Sequence, residues 1–209
     1  MVIMVTGGTG FVGVNVAKEF IMQGYDVLCY DIAPKDLPGL SSRDGGKVTV
    51  VRGDVLDLPH LFTTAEKYSA EGIVHAAYSL SEPLMRDFPL TIAIKTNVEA
   101  MANILETSRL RDLKVIFTSS VGVYSPEPDI QPLALKPLHE DEAKCPPRFY
   151  GVTKLICETL TTAYNTIYNL DTVSVRLSAM YGPYSTPYGP GSIIYHFLKN
   201  ALRGSSVEW

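Results

Sequence analysis

The 209-residue sequence predicts an α/β fold built on a doubly wound parallel sheet, and three observations carry that prediction. Short β-branched runs alternate with helical patterns from the first residue. The strand candidates are mostly apolar on both faces, as strands buried between two helix layers are. The first of them runs straight into a glycine-rich turn that opens a helix. Strand, helix and strand in alternation produce a parallel sheet covered on both sides.

In chain order, Val2–Val5, Val27–Tyr30, Val48–Val51, Ile73–Ala76, Val115–Ser119 and Thr172–Leu177 read as strands. Phe11–Gln23, Pro59–Ser69, Leu90–Arg109, Tyr150–Asn169 and Ser192–Leu202 read as helices. Within the third helix, Ile94, Val98, Met101, Leu105 and Arg109 trace a largely apolar stripe at helical spacing. Two places break the rhythm. Tyr124–Arg148 holds six prolines and no period, and long loops inside compact domains are usually functional or mobile. After Leu177, Gly182, Pro183, Pro187, Gly189, Pro190 and Gly191 crowd a short stretch.

The glycine turn is Thr6-Gly7-Gly8-Thr9-Gly10-Phe11-Val12-Gly13. Its spacing, between a strand and a helix, is that of a phosphate cradle. A tight turn brings bare backbone to a pyrophosphate, and the helix N-terminus offers N–H groups and partial positive charge. This makes the predicted sheet Rossmann-type, with Gly7, Thr9, Gly10, Phe11, Val12 and Gly13 as candidate cofactor-binding residues. Asp31 ends the second strand at a spacing suited to accepting hydrogen bonds from ribose hydroxyls. A carboxylate there repels a 2′-phosphate, so NAD is expected rather than NADP; the plainer reading of Asp31 is a loop cap. Asp54 and Val55 follow the third strand, where an acid meets an adenine amino group and a valine packs on the ring, or where the aspartate simply caps. Ala76 and Ala77 let backbone approach a cofactor, and His75 is expected to be a packed strand residue.

Tyr150-Gly151-Val152-Thr153-Lys154 places a phenol and an amine four residues apart on a predicted helix, on neighbouring parts of its surface. A free tyrosine titrates near pH 10, and lowering that by about three units takes roughly 4 kcal/mol of differential stabilisation. A close ammonium and an oxidised nicotinamide both favour the phenolate. Tyr150 then exchanges a proton with a substrate hydroxyl. Ser120 closes the fifth strand at the sheet end where open α/β sheets bind ligands, and is expected to hold the reacting oxygen beside Tyr150. Ser120, Tyr150 and Lys154 are the candidate catalytic residues.

Composition narrows the alternatives. A formal net charge of −4, with no basic run, offers no electrostatic reason to bind nucleic acid or an anionic membrane. The three cysteines, Cys29, Cys145 and Cys157, make neither a CxxC pair nor a disulfide framework. The four histidines have no metal-ligand spacing, so no metal is expected. There is no basic leader before a long apolar stretch and no apolar run of membrane-spanning length. A cytoplasmic protein is expected.

The combination of TGGTGFVG, Asp31, Gly53-Asp54-Val55, His75-Ala76-Ala77, Thr96-Asn97-Val98, Ser119-Ser120 before Tyr124, Tyr150/Lys154 with Glu158, and Arg176 before Tyr181-Gly182-Pro183 resembles the extended short-chain dehydrogenase/reductase family, the NAD-dependent epimerase/dehydratase group. The resemblance implies that Ser120 and Tyr150 carry the chemistry, that Lys154 also grips the nicotinamide ribose, and that Asn97 lies near the cofactor. It implies a homodimer paired through Leu90–Arg109 and Tyr150–Asn169. It divides the chain into a dinucleotide-binding domain, 1–177, and the start of a small, truncated C-terminal substrate domain, 178–209. The implied substrate is a small molecule: a sugar or nucleotide-sugar-like secondary alcohol or ketone. Departures matter as well. Val121 and Gly122 stand where sugar dehydratases of the family carry acids, which disfavours dehydration and decarboxylation. Ala179 stands where nucleotide-sugar members often carry an asparagine, which weakens that substrate class. Arg176 either reaches a ligand through its fork or makes a structural ion pair. Tyr181, Tyr184, Tyr188 and Tyr195 either line a pocket or pack. Beside the enzyme stand two other readings: a non-catalytic dinucleotide-binding regulatory module and a catalytically incomplete fragment.

Overall fold

The computed structural model describes residues 1–37, 40, 45–78, 90–124, 137–142, 144–146, 148–185 and 192–205. Most of the proline-rich break, including 125–136, and the Pro187–Gly191 cluster with Tyr188 lie outside the described residues. Six strands form one sheet: β1 (Val2–Thr6), β2 (Asp26–Asp31), β3 (Val48–Arg52), β4 (Ala70–His75), β5 (Lys114–Ser120) and β6 (Thr172–Leu177). Their order is β3-β2-β1-β4-β5-β6, and every neighbouring pair is parallel. The order reverses between β1 and β4, the switch point at whose carboxyl end such sheets open a crevice.

The described α-helices are α1 (Phe11–Met22), α2 (Leu58–Lys67), α3 (Leu90–Ile94), α4 (Ala100–Arg111), α5 (Phe149–Tyr168) and α6 (Ser192–Leu202). Because strand side chains alternate, each sheet face builds its own core. On one face Met4, Leu28, Ile73, Val115 and Phe117 meet Leu61 of α2, Met101, Ile104 and Leu105 of α4, and Cys157 of α5. On the other, Ile3, Val5, Val27, Cys29 and Val74 meet Val14, Ala17 and Ile21 of α1. Local chemistry sets the helix ends. The Asp57 carboxylate accepts from His60 N at 3.0 Å and caps α2, with Pro59 in its first turn. Asp112 and Asn169 take the left-handed conformation after α4 and α5, which those short polar side chains tolerate.

Two elements differ from the sequence expectation by more than a shift of one or two residues at an end. β4 begins at Ala70 rather than Ile73 and ends at His75, because its ladder follows the whole of β1. The charged Glu71 and side-chain-free Gly72 hide that start from a reading based on apolar runs. The helix expected over Leu90–Arg109 is α3, a π turn over Lys95–Glu99, and α4. The wider turn rotates the following residues, so the stripe does not run through. Met101 and Leu105 are fully buried, but Ile94 is 41% exposed and Ala93 points inward instead. Ile116, Val173 and Val175, on β5 and β6, remain exposed at alternate positions of their strands.

An ion pair between buried Glu158 and half-buried Arg176 joins α5 to β6. Arg176 Nε and Nη2 donate to Glu158 Oε1 and Oε2, each at 2.9 Å, and Arg176 Nη1 donates to Tyr124 Oη at 2.7 Å and the Glu140 carbonyl at 2.8 Å. Arg176 therefore serves the structure, tying four segments together. Burial raises the Glu158 pKa, but hydrogen bonds from Arg176 and Ser119 outweigh it and leave the carboxyl below its usual range. Arg176→Ala is expected to cost about 3 kcal/mol in urea unfolding at pH 7, because it strands a buried carboxylate. The contribution is complete above the unfolded glutamate pKa of about 4.3 and is lost as pH falls through the depressed folded value. The gap between variant and wild type is thus expected to narrow at pH 3, and a gap unchanged by acid would contradict this account.

Candidate active site

The carboxyl ends of the strands enclose two adjoining cavities. The first, about 450 Å³, is lined by Gly7, Gly10, Tyr30, Asp31, Ile32, Gly53, Asp54, Val55, Ala76, Ala77, Tyr78 and Thr96. The second, about 460 Å³, is lined by Gly7, Gly10, Phe11, Val12 and Gly13 on one side and by Ser120, Tyr150 and Lys154 on the other. Ser178, Ala179 and Met180, just beyond β6, also face it. The structure thus brings nearly all the sequence-predicted site residues to one crevice.

The glycine turn is shaped by a close approach. A Cβ at Gly13 would stand 2.1 Å from Gly7 O, so the first turn of α1 folds back on the loop only without a side chain there. Gly10 caps α1 with no side-chain hydrogen bond, which leaves the helix end facing the cavity as bare backbone. Thr9 does not line either cavity. Its N–H and hydroxyl both donate to Asp31 Oδ2, at 3.0 and 2.7 Å, while Asp31 Oδ1 accepts from Ala33 N at 3.1 Å. The carboxylate is thereby fixed at the rim of the first cavity with lone pairs to spare. Asp54 closes a turn by accepting from Leu56 N at 2.9 Å. Asn97 sits in the π turn, buried against α5, where its carbonyl accepts from Cys157 Sγ at 3.5 Å; its neighbour Thr96 is the one that lines the first cavity.

α5 delivers the reactive side chains through a small-residue contact. A Cβ at Gly151 would stand 2.1 Å from Gly122 O, so the helix meets the 3₁₀ turn Val121–Val123 backbone to backbone. Ser120 Oγ accepts from Gly122 N at 3.0 Å. A Cβ on Gly122 would lie 3.3 Å from Ser120 Oγ and 3.5 Å from Tyr150 Cδ1, so serine and phenol ring flank one glycine. Lys154 is 3% exposed, and its Nζ donates to Thr118 O at 2.6 Å. The amine lies 3.9 Å from the Tyr78 ring centroid, 4.8 Å from Phe117 and 5.9 Å from Tyr150. Burial lowers its pKa to about 7, only partly opposed by Cys157. One turn on, Glu158 Oε1 accepts from Ser119 Oγ at 2.6 Å.

His75 is buried behind the site. Its Nδ1 lies 2.7 Å from Thr6 Oγ1, its ring stacks on Phe117, and burial together with Lys154 lowers its pKa to about 3. It is a packed neutral residue. Sequence reasoning missed Tyr78, Thr118 and Thr153. Tyr78 had one positional signal, following Ala77 at the strand end; the other two act through a backbone carbonyl and a helix-side hydroxyl that no motif marks. Among the described residues no group of three or more His, Cys, Asp or Glu side chains is placed to hold a metal ion, and no helix is long and apolar enough to cross a membrane.

The family model described as "NAD dependent epimerase/dehydratase family" matches residues 3–209. A putative UDP-glucose 4-epimerase of Methanocaldococcus jannaschii is 28% identical over 205 residues, covering 98% of this chain and 64% of that protein. The chain therefore spans less than two thirds of that relative's length. A crystal structure of UDP-glucose 4-epimerase with UDP-glucose from Thermotoga maritima superposes with a TM-score of 0.83 at 27% identity, over 99% of this chain and 65% of that one. The UDP-glucose 4-epimerase of Brucella ovis in complex with NAD superposes with a TM-score of 0.69 at 31% identity, over 84% of this chain and 51% of that one. With the family model matched from the first strand to the last residue, the chain belongs to the NAD-dependent epimerase/dehydratase family.

Proposed function

We propose that this chain binds NAD across the two cavities and oxidises or reduces a carbon–oxygen centre of a sugar or nucleotide-sugar-like substrate, with Tyr150 as general acid/base. The observation that carries the reading is the second cavity itself, which sets the glycine turn opposite Ser120, Tyr150 and Lys154. The family supplies the cofactor's identity, and the relatives solved with NAD and with UDP-glucose support the ligand classes.

The residues fit a dinucleotide. The cradle is bare backbone at a helix N-terminus, the arrangement that accepts a pyrophosphate. Asp31 is held by Thr9 at the rim of the first cavity, where it receives ribose hydroxyls and repels a 2′-phosphate. Asp54, Val55, Ala76 and Ala77 form the adenosine side, with Thr96 beside Asn97 lining the same cavity, and Lys154 lies on the nicotinamide side. Bound NAD supplies the hydride acceptor and donor.

The chain's own residues handle the proton. Tyr150 takes it from the substrate hydroxyl during oxidation and returns it during reduction. Ser120, oriented by Gly122 N, hydrogen-bonds the same substrate oxygen. Lys154 supports the phenolate when charged, and residues 178–209 begin the substrate-binding part through Ser178, Ala179 and Met180. Homodimer pairing through α4 and α5 belongs to the same proposal; exposed Leu110, Ile156, Ile167 and Tyr168 on those helices support it.

Calorimetry is expected to show saturable binding of NAD, with NADP at least tenfold weaker and Asp31→Ala narrowing the difference; absence of heat with NAD would sink the reading. Tyr150→Phe is expected to lower turnover at least 100-fold, a loss typical of general acid–base groups, while NAD affinity stays within about threefold. Assays with candidate sugars read two outcomes: accumulating NADH marks a dehydrogenase, and isomer conversion without net NADH an epimerase. Full activity in Tyr150→Phe would refute the assignment. Gly151→Ala is expected to lower turnover in the same assay, because its methyl group pushes α5 off Gly122. Unchanged turnover in that variant would show that the close contact is dispensable.

A further inference from the structure

Tyr78 belongs to none of the motifs above, yet the contacts of the site converge on it. It stands three residues beyond β4 and, among the described residues, is the one large side chain shared by both cavities; the other described residues they share are Gly7, Gly10 and Ala76. Its ring lies 3.9 Å from Lys154 Nζ. Its edge meets the Tyr150 ring, with centroids 5.1 Å apart and planes at 81°. Its hydroxyl hydrogen-bonds Thr153 Oγ1 and reaches the Tyr150 carbonyl at 3.5 Å.

We propose that Tyr78 is a positioning residue whose ring roofs the Lys154 amine at the seam between the cavities, keeps water from it, and presses it toward Thr118 O. The proposal rests on reading Lys154 and Tyr150 as the reacting pair. The geometry is that of a cation held by an aromatic face, an attraction that strengthens as water is removed. A second ring, Phe117, and the Thr118 carbonyl close the amine from the β5 side. Among the described residues, the titratable groups packed around it are Tyr150 and Cys157 on α5, neutral His75 on β4, and Tyr78 itself. A lysine in this setting has its charge governed by hydration, so the roof decides how wet the amine is. The perpendicular contact also limits rotation of the Tyr150 ring. Through Thr153 the roof is keyed to the first turns of α5, so it moves with the helix that carries both reactive groups.

The test compares wild type with Tyr78→Phe, Tyr78→Leu and Tyr78→Ala, each checked for native circular dichroism. Lys154 is labelled with acetic anhydride in the ligand-free chain, and its modification is followed by mass spectrometry across a pH series. Tyr78→Phe keeps the ring and is expected to label within twofold of wild type. Tyr78→Leu keeps bulk without an aromatic face, Tyr78→Ala removes both, and each is expected to label at least fivefold faster. NAD affinity by calorimetry is expected to be retained in Tyr78→Phe and to fall at least fivefold in Tyr78→Leu. If Tyr78→Leu labels like wild type, the aromatic roof is overturned, whatever Tyr78→Ala does, because bulk alone then suffices. The labelling needs neither cofactor nor substrate. A wild type that binds no NAD therefore sinks the functional reading and leaves the labelling result to decide on Tyr78.

Discussion

The contact between α5 and the carboxyl end of β5 organises the rest of the site. Three residues on one face of the helix each engage the strand end or the turn after it. Gly151 lies against Gly122 with no room for a side chain, Lys154 donates to the Thr118 carbonyl, and Glu158 accepts from Ser119. Their spacing of three and then four residues keeps them on a single helical stripe. Because Tyr150 is carried by the same first turn, its place beside Ser120 follows from that seam. Arg176 extends it by holding Glu158 from β6 and Tyr124 from the turn after β5, so the seam is clamped from behind as well.

This arrangement puts an amine where water is scarce. A buried ammonium without strong partners loses its proton, and the Lys154 pKa of about 7 expresses that cost. A carbonyl oxygen and two ring faces offset part of it. The outcome is a cation poised near neutrality, close to a phenol whose ordinary pKa of about 10 is too high for a base at that pH. Such pairing of perturbed groups in one crevice is a recurrent mark of acid–base sites. His75, one layer below, stays neutral because it is sealed between Thr6 and Phe117, so it does not compete for the charge.

The two cavities are one crevice whose halves share four described lining residues. Gly7, Gly10 and Ala76 form a low floor there, and Tyr78 rises from it. The π turn before α4 lies alongside, with Thr96 at the first cavity and Asn97 against α5. π turns often mark functional positions, since a widened turn re-aims side chains at the cost of regular packing. Here that cost is visible in exposed Ile94. The switch in strand order between β1 and β4 is what opens the space for all of this.

The sequence by itself determined the alternation of elements, the glycine turn and the ordered series of Asp31, Ser120, Tyr150 and Lys154. Those signals are local: apolar runs, glycines at fixed offsets, and two side chains one helical turn apart. It fell short where spacing alone decides nothing. The early start of β4 came from pairing with β1, and the π turn lies against α5; neither has a local pattern. Arg176 read equally as a ligand residue or an ion-pair member until Glu158 was brought beside it across the fold. The partners of Lys154 were decided only by tertiary structure. Thr118 acts through its backbone carbonyl, and the Tyr78 ring arrives from the segment after β4, far away in the chain. A side chain's type and helical phase are written in sequence, but its hydration and its nearest charges exist only once distant segments close around it.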